Sequence, residues 1–299
     1  MATTIIQSFS EYSSNLNVTD RQESLVSTCR TNVVKAIDNV LYLHSSEPSK
    51  LIGSWDRKTL IRPLSQGDVD VMVVLNYDKN KEWETPGGTV LVLDKFKAIL
   101  DEAYPKTAHR RDVNCITMQF SEFKFDVVPA FRYTDGYYTI PDTVRRQWVK
   151  TDPIKFAQKI TAVNQNMGGD FVPLIKMVKG WNRNVDSPIG GFHLENLMYH
   201  HYQSYTQGYS YSSTIKRFFG NLPSYLSQVC YDPVTGDKLD TYMDNMAQTT
   251  VRQIAINKAN TAKNKSAKAY EYEQQGDGYE EYAINGWKEL LGDYFPAYG

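Results

Sequence analysis

The chain has 299 residues, of which 41% are apolar and 22% charged, with a net charge of −1. These values are ordinary for a water-soluble globular protein, long enough for one large domain or two lobes. The near-zero charge excludes a global pull toward nucleic acid or an anionic membrane.

In chain order, residues 1–17 are polar and rich in serine, without the charged start and apolar run of a secretory leader. No stretch approaches the roughly eighteen apolar residues of a membrane helix. Asp20 with Glu23 reads as a capping box. It opens a helix in which Leu25, Val26, Cys29, Val33, Ile37, Val40 and Leu41 recur at helical spacing, ending near His44. Leu51-Ile52 is a short apolar piece before Gly53-Ser54, and residues 68–75 alternate as a strand. Thr89 is expected to cap a helix over 90–104. Residues 116–120 and 123–128 read as a hairpin around Ser121-Glu122, and the strand-rich part is expected to end near Phe131.

From Asp152-Pro153 onward the pattern is helical, since proline is tolerated in a first turn. Further helices are expected over 170–181, 192–202, 241–271 and 280–291. Lys263, Lys265 and Lys268 mark a solvated helix face. His200 and His201 are adjacent, so on a helix they point apart and do not form a metal pair. Cys29, Cys115 and Cys230 form neither a CxxC pair nor a zinc-spaced cluster, which fits reduced thiols in the cytoplasm. The plan is an N-terminal segment and helix (1–48), an α/β lobe (49–150) and a helical lobe (151–299).

Three acids stand out. Asp68 and Asp70 are two apart on a strand whose other face is Val69, Val71 and Val73, so both carboxylates share a side. Grouping carboxylates is costly unless a cation offsets their repulsion and desolvation. Mg²⁺ takes oxygen ligands, commonly one or two carboxylates with phosphates and water. Asp126, between Phe125 and Val127, follows the same logic and would complete a site for two metals. An Asp-x-Asp pair alone is weak, because exposed strands carry it by chance. The upstream Gly53-Ser54 strengthens it: glycine lets backbone approach a phosphate, and serine can donate to one.

The run Gly53-Ser54-Trp55-Asp56-Arg57-Lys58-Thr59-Leu60-Ile61-Arg62-Pro63-Leu64-Ser65-Gln66-Gly67-Asp68-Val69-Asp70-Val71 resembles the signature of the cGAS/DncV-like nucleotidyltransferases, the CD-NTases. Ile175-Lys176-Met177-Val178-Lys179-Gly180-Trp181-Asn182 resembles their lysine-bearing helix. Phe192-His193-Leu194-Glu195 resembles the helix start that follows, and Leu291-Gly292-Asp293-Tyr294-Phe295-Pro296 their closing motif. The resemblance spans nearly the whole chain. It implies an α+β, bilobal polymerase-β-like nucleotidyltransferase core, a mixed sheet with helices, plus a C-terminal helical lobe, bridged by a long N-terminal helix.

It also implies roles. Asp68 and Asp70 would bind two Mg²⁺ ions (or Mn²⁺), and Asp126 the one that activates a ribose hydroxyl. Gly53 and Ser54 would hold the triphosphate, Lys179 with Lys176 would neutralise it, and Phe192 would stack on the donor base. The implied activity is condensation of NTPs into a cyclic di- or trinucleotide second messenger in bacterial anti-phage (CBASS) signalling. A linear oligonucleotide synthase, nucleotidyl transfer to RNA or protein, and an inactive nucleotide-binding scaffold are the alternatives. Implied partners are NTP substrates, CBASS regulatory or conjugation proteins and a downstream effector; neither a membrane nor a nucleic-acid substrate is expected. The zinc-binding insertion of the animal DNA sensor is absent. Asn164 and Asn166 are candidates to read an acceptor base, and Gly299 suits conjugation by a ubiquitin-like pathway.

Overall fold

The computed structural model describes residues 2–85, 87–205, 210–244 and 249–299. The chain divides into two compact units, residues 18–157 and residues 1–17 with 158–299. In chain order the first elements are α1 (Ile5–Leu16), α2 (Asp20–Asp38), β1 (Ser49–Ile52), the one-turn α3 (Gly53–Asp56), β2 (Asp68–Val74), α4 (Tyr77–Asn80) and α5 (Gly88–Ala103). Strands β3 (Ala108–Arg111), β4 (Ile116–Gln119), β5 (Lys124–Arg132), β6 (Tyr138–Asp142) and β7 (Gln147–Thr151) follow. The remainder is helical: α6 (Pro153–Asn166), α7 (Phe171–Asn184), α8 (Gly191–Tyr202), α9 (Tyr211–Leu226), α10 (Thr249–Gln275) and α11 (Glu280–Leu291).

The first unit is a mixed sheet, ordered β1-β2-β5-β4-β3, with β6 on the far end of β5 and β7 on β6. Strands β2 and β5 run parallel; β1, β3 and β4 join antiparallel. One face buries Val69, Val71, Val73, Phe125 and Val127 against Val92, Leu93 and Phe96 of α5 and Val26, Val33 and Ile37 of α2. Each such side chain contributes ~1.5–3 kcal/mol through removal from water. The other face carries a smaller cluster, Met72, Val74, Ala130 and Tyr138, leaving the N-terminal ends of β2 and β5 on that face to polar groups.

Several local expectations need correction. The capping box is Thr19 with Gln22, not Asp20 with Glu23, because Thr19 has extended backbone and its hydroxyl accepts from Gln22 N–H. Helix α2 ends at Asp38 rather than near His44. Thr89 is no cap: it is buried inside α5, whose start is fixed by Gly88, where a Cβ would lie 1.8 Å from the Trp83 carbonyl oxygen. The strands do not stop near Phe131, since β6 and β7 extend the sheet to Thr151; Pro141 interrupts the donor pattern of β6 and obscures it in the sequence.

The expected α6 start holds, with Asp152 Oδ1 accepting from Lys155 N–H at 2.9 Å. Nothing between Tyr202 and Thr241 is assigned from sequence, yet α9 lies there, capped by Ser210 and burying Ile215, Phe218, Phe219, Leu222 and Leu226. Its internal Gly220 and Pro223 hide the period. The helix expected over 241–271 is a single tight turn at Thr241–Met243 and then α10; residues 245–248 of that expectation lie outside the described residues.

The second unit gathers α1 with the C-terminal helices. Tyr12 is fully buried and its hydroxyl lies 3.2 Å from the carbonyl oxygens of Met177 and of Leu291. Phe9 packs edge-on to Trp287 and Phe295. These anchors explain why residues 1–17 group with this unit while α2, through Val26, Val33 and Ile37, belongs to the sheet. Ala2 N–H donates to the Ala297 carbonyl at 3.0 Å, and Gly299 N–H faces the Ala2 carbonyl at 3.4 Å. His200 and His201 do point apart, the first to the Tyr231 carbonyl and the second to the Tyr225 hydroxyl.

Candidate active site

Strand register assembles the acids. In the parallel β2–β5 pair, Asp70 stands beside Asp126 and Asp68 beside Lys124. Side chains of paired residues point to the same face. Because Val69, Phe125, Val71 and Val127 fill the core, Asp68, Asp70 and Asp126 share the opposite face. Asp68 is exposed, with its Oδ1 3.6 Å from Lys124 Nζ; Asp70 and Asp126 are half-buried.

Asp126 carries the electrostatic signature. Its Oδ1 is buried without a hydrogen-bond partner. Burial pushes its carboxyl above the ordinary carboxylate range, the Thr117 hydroxyl pulls it partly back, and the charge of Asp68 raises it further. A desolvated carboxylate with an unmet lone pair beside two other acids is a donor set suited to a hard divalent cation. Among the described residues no three acidic, His or Cys side chains close on a ready-made metal cage. An Mg²⁺ site that substrate phosphates complete needs none, because this ion uses only one or two carboxylates and keeps other positions for phosphate and water.

Gly53 abuts these acids. Ile52 pairs with Asp70 across β1–β2, and Gly53 turns the chain with φ +68°. A Cβ there would lie 2.0 Å from Asp70 Oδ2, so no other residue fits. Ser54 follows in α3, and its carbonyl accepts from Thr59 N–H at 2.9 Å and Leu60 N–H at 3.0 Å. These bonds hold the loop back on itself and fix the Gly53-Ser54 backbone at the edge of the acid cluster. Arg57, buried, stacks over the Phe156 ring at 5.2 Å.

Thr117 was not singled out from the sequence. It pairs with Asp126 across β4–β5. A hairpin centred on Ser121-Glu122 dictates that pairing, so its signal was available. Cys115 lies nearby, but burial and then the Asp126 charge push its thiol far up, which keeps it protonated and inert.

Lys176, Lys179 and Phe192 belong to the helical unit. Lys179 of α7 sets its ammonium against Glu195 of α8, and both side chains are almost withdrawn from solvent. Glu195 is therefore a further functional candidate. Its sequence signal was a lone acid within the apolar stretch Leu194–Met198 of a helix. Lys176 Nζ donates to Asn17 Oδ1 at 2.7 Å. Phe192 is 38% exposed in the first turn of α8. Asn164 is used structurally: its Oδ1 accepts from Val172 N–H at 2.9 Å and so caps α7, while Asn166 is exposed at the end of α6. Lys265 reaches Glu289 at 2.6 Å, as suits a solvated helix face.

Residues 3–164 match the family model of the Second Messenger Oligonucleotide or Dinucleotide Synthetase domain, SMODS. The chain belongs to the SMODS family. Its members are nucleotidyltransferases of the bacterial CD-NTase group, with the polymerase-β-like fold described above. The chain is 29% identical to a probable cyclic nucleotide synthase of Bacillus cereus over 301 residues, covering 89% of this chain and 88% of the relative. It is 28% identical to a cyclic AMP-AMP-AMP synthase of Acinetobacter, covering 82% and 72%. The fold matches CdnC of E. coli MS115-1, solved with HORMA-deltaN, with a TM-score of 0.71 at 14% identity, covering 97% of this chain and 98% of that one. Among the described residues of this SMODS protein, no helix is long and apolar enough to cross a membrane.

Proposed function

We propose that this SMODS protein condenses nucleoside triphosphates into a cyclic di- or trinucleotide for CBASS anti-phage signalling, with Asp68, Asp70 and Asp126 holding two Mg²⁺ ions. The observation that carries the reading is the register of Asp70 beside Asp126, with Asp126 Oδ1 buried and unpartnered and Gly53 closed down on Asp70. The kinship to the cyclic AMP-AMP-AMP synthase supports the product class, and kinship to a CBASS oligonucleotide cyclase supports the setting.

In this reading a ribose hydroxyl attacks the α-phosphate of a bound NTP in line and pyrophosphate leaves. When bound, the ions lower the pKa of that hydroxyl and stabilise charge on the attacking and leaving oxygens. The chain supplies position and fixed charge. Asp126, already desolvated, loses little solvation when it takes up a cation. Gly53 and Ser54 present backbone and hydroxyl to the triphosphate. Lys179, steadied by Glu195 and aided by Lys176, neutralises it, and Phe192 stacks on the donor base. HORMA-deltaN, the partner of CdnC in its solved complex, supports a regulatory protein as a partner here.

The test is incubation with each α-labelled NTP and Mg²⁺ or Mn²⁺, followed by phosphatase. Label that resists phosphatase in a product without free ends by mass is expected. A phosphatase-resistant product whose mass is that of an oligonucleotide with free ends would instead mark a linear synthase, and complete release as inorganic phosphate would mean that no phosphodiester forms. Asp68→Asn with Asp70→Asn should abolish synthesis, and retained activity would refute the metal-site assignment.

A further inference from the structure

We propose that Tyr242 is the positioning residue for the nucleotide-facing start of α8, held in place by an Asp240–Arg252–Asp244 clamp. The inference rests on the reading that Phe192 and Lys179 engage the NTP.

Helix α8 begins without a capping side chain, because its N-cap is Gly190. Buried Asn182 holds the preceding residue on both sides, donating to the Ile189 carbonyl at 2.7 Å and accepting from its N–H at 3.3 Å, and a residue remote in sequence holds Gly190 itself. Gly190 N–H donates to the Tyr242 hydroxyl at 2.7 Å, and that hydroxyl lies 3.1 Å from His193 Nδ1. The Tyr242 and His193 rings pack edge to face at 6.0 Å. Burial holds His193 neutral, with its pKa lowered to about 4. The Tyr242 hydroxyl thus bridges the Gly190 N–H and the His193 ring.

The Lys179 stem is a neighbour of the same turn: a Cβ on Gly191 would lie in ordinary contact with Lys179 Cε, at 3.8 Å. The dipeptide before Phe192 thus has both Tyr242 and Lys179 beside it. Glu195, one turn on, anchors the Lys179 ammonium. One tyrosine hydroxyl thus bears on the residues that set the Phe192 ring and the Lys179 charge.

Tyr242 is itself immobilised. It sits in the tight turn Thr241–Met243, preceded by the fully buried Asp240. Arg252 of α10 donates to Asp240 Oδ2 at 2.6 Å and, through Nε, to Asp244 Oδ1 at 2.9 Å, so one guanidinium grips both ends of the turn. Its remaining Nη1 donates to the Leu226 carbonyl at the end of α9, at 2.6 Å. Charge-assisted bonds of this kind are the strong ones, and the planar fork allows few alternative geometries.

Tyr242→Phe keeps the ring and deletes the hydroxyl. The expected result is a rise of about three- to tenfold in KM for NTP, with kcat changed less than twofold, as for loss of one positioning hydrogen bond. Titration with a fluorescent ATP analogue reads the same loss as weaker binding. Phe192→Ala and the double variant complete a cycle: if Tyr242 acts through the α8 start, the two losses are less than additive, and full additivity would count against it. Unchanged KM and binding in Tyr242→Phe, where Phe192→Ala and Lys179→Ala do weaken binding, would overturn the proposal while leaving the reading of the site intact. Unchanged binding in Phe192→Ala and Lys179→Ala would overturn the reading itself. Amide exchange in the unaltered protein is independent of whether any variant folds: Gly190 N–H is expected to be protected, and exchange at the free-amide rate would refute the latch.

Discussion

In the sheet unit, Asp70 and Asp126 come side by side because two strands pair in one register; in the helical unit, Lys179 and Glu195 meet only because two helices, sixteen residues apart at these positions, pack to bring their side chains together. Register is enforced by every hydrogen bond and every apolar residue along β2 and β5, since a one-residue slip would turn Val69, Val71 and Val73 out of the core. The Lys179–Glu195 pair has no strand ladder behind it; the packing of α7 and α8, which bury side chains such as Val178 and Leu194, brings it together. The first arrangement is stiff and repeated along the backbone. The second is held by a few side chains and is correspondingly open to adjustment when a ligand binds.

This contrast can be broken in order of severity. Gly53→Val should be the most damaging single change to catalysis, because a Cβ at 2.0 Å from Asp70 Oδ2 and a φ of +68° leave no room for adjustment. A loss on the order of 10²–10³-fold in NTP turnover is expected, comparable to removal of a key electrostatic group. Asp126→Asn should cost activity to a similar degree yet give the free protein a higher melting temperature. The reason is sign: the Asp126 carboxyl is raised in the folded state, so its charged form penalises folding at neutral pH and its neutral isostere does not. A lower melting temperature would show that the carboxylate is structurally favourable.

Glu195→Gln should act through stability, by about 3 kcal/mol, because it removes the carboxylate charge that faces the largely buried Lys179 ammonium. Chemical denaturation would read this, and a change under 1 kcal/mol would mean that Lys179 finds another partner. Asn164→Ala should be the mildest, about 1 kcal/mol for the lost α7 cap.

Acid should separate the two units. Burial lowers His193 and His201 from 6.5 to about 4, so the unfolded chain binds more protons between those values. Their contribution is complete above pH 6.5 and is lost as pH falls toward 4, on the order of 1–2 kcal/mol per histidine at pH 5. Glu273, raised by burial in the same unit, offsets part of this. In the sheet unit Asp126 runs the other way, its penalty relieved by acid. Calorimetry at pH 7 and pH 5 should show the helical unit losing more than the sheet unit; equal losses would contradict the assignment of neutral buried histidines.

The same contrast explains what the sequence made legible. Period-two alternation around Asp68, Asp70 and Asp126, and the glycine before Ser54, carry the sheet site almost completely, including the Thr117 partner implied by the hairpin. The apolar spacing of α7 and α8 also predicts helices, and both are present. Illegible were the contacts that join distant segments: Tyr242 to Gly190 across fifty-two residues, Arg252 to Asp240, and Tyr12 to Leu291. No local period encodes such pairs. Helix α9 escaped for a related reason, since Gly220 and Pro223 break a pattern that Ile215, Phe218, Phe219 and Leu222 restore only when packed.

The central claim is that Asp126 completes a divalent-cation site with Asp68 and Asp70. Its most direct test is a count of Mn²⁺ bound per chain, by electron paramagnetic resonance, in the presence of a non-reactive NTP analogue. Two ions are expected on the unaltered protein and fewer on Asp126→Asn; the same number bound with the same affinity by both proteins would contradict it.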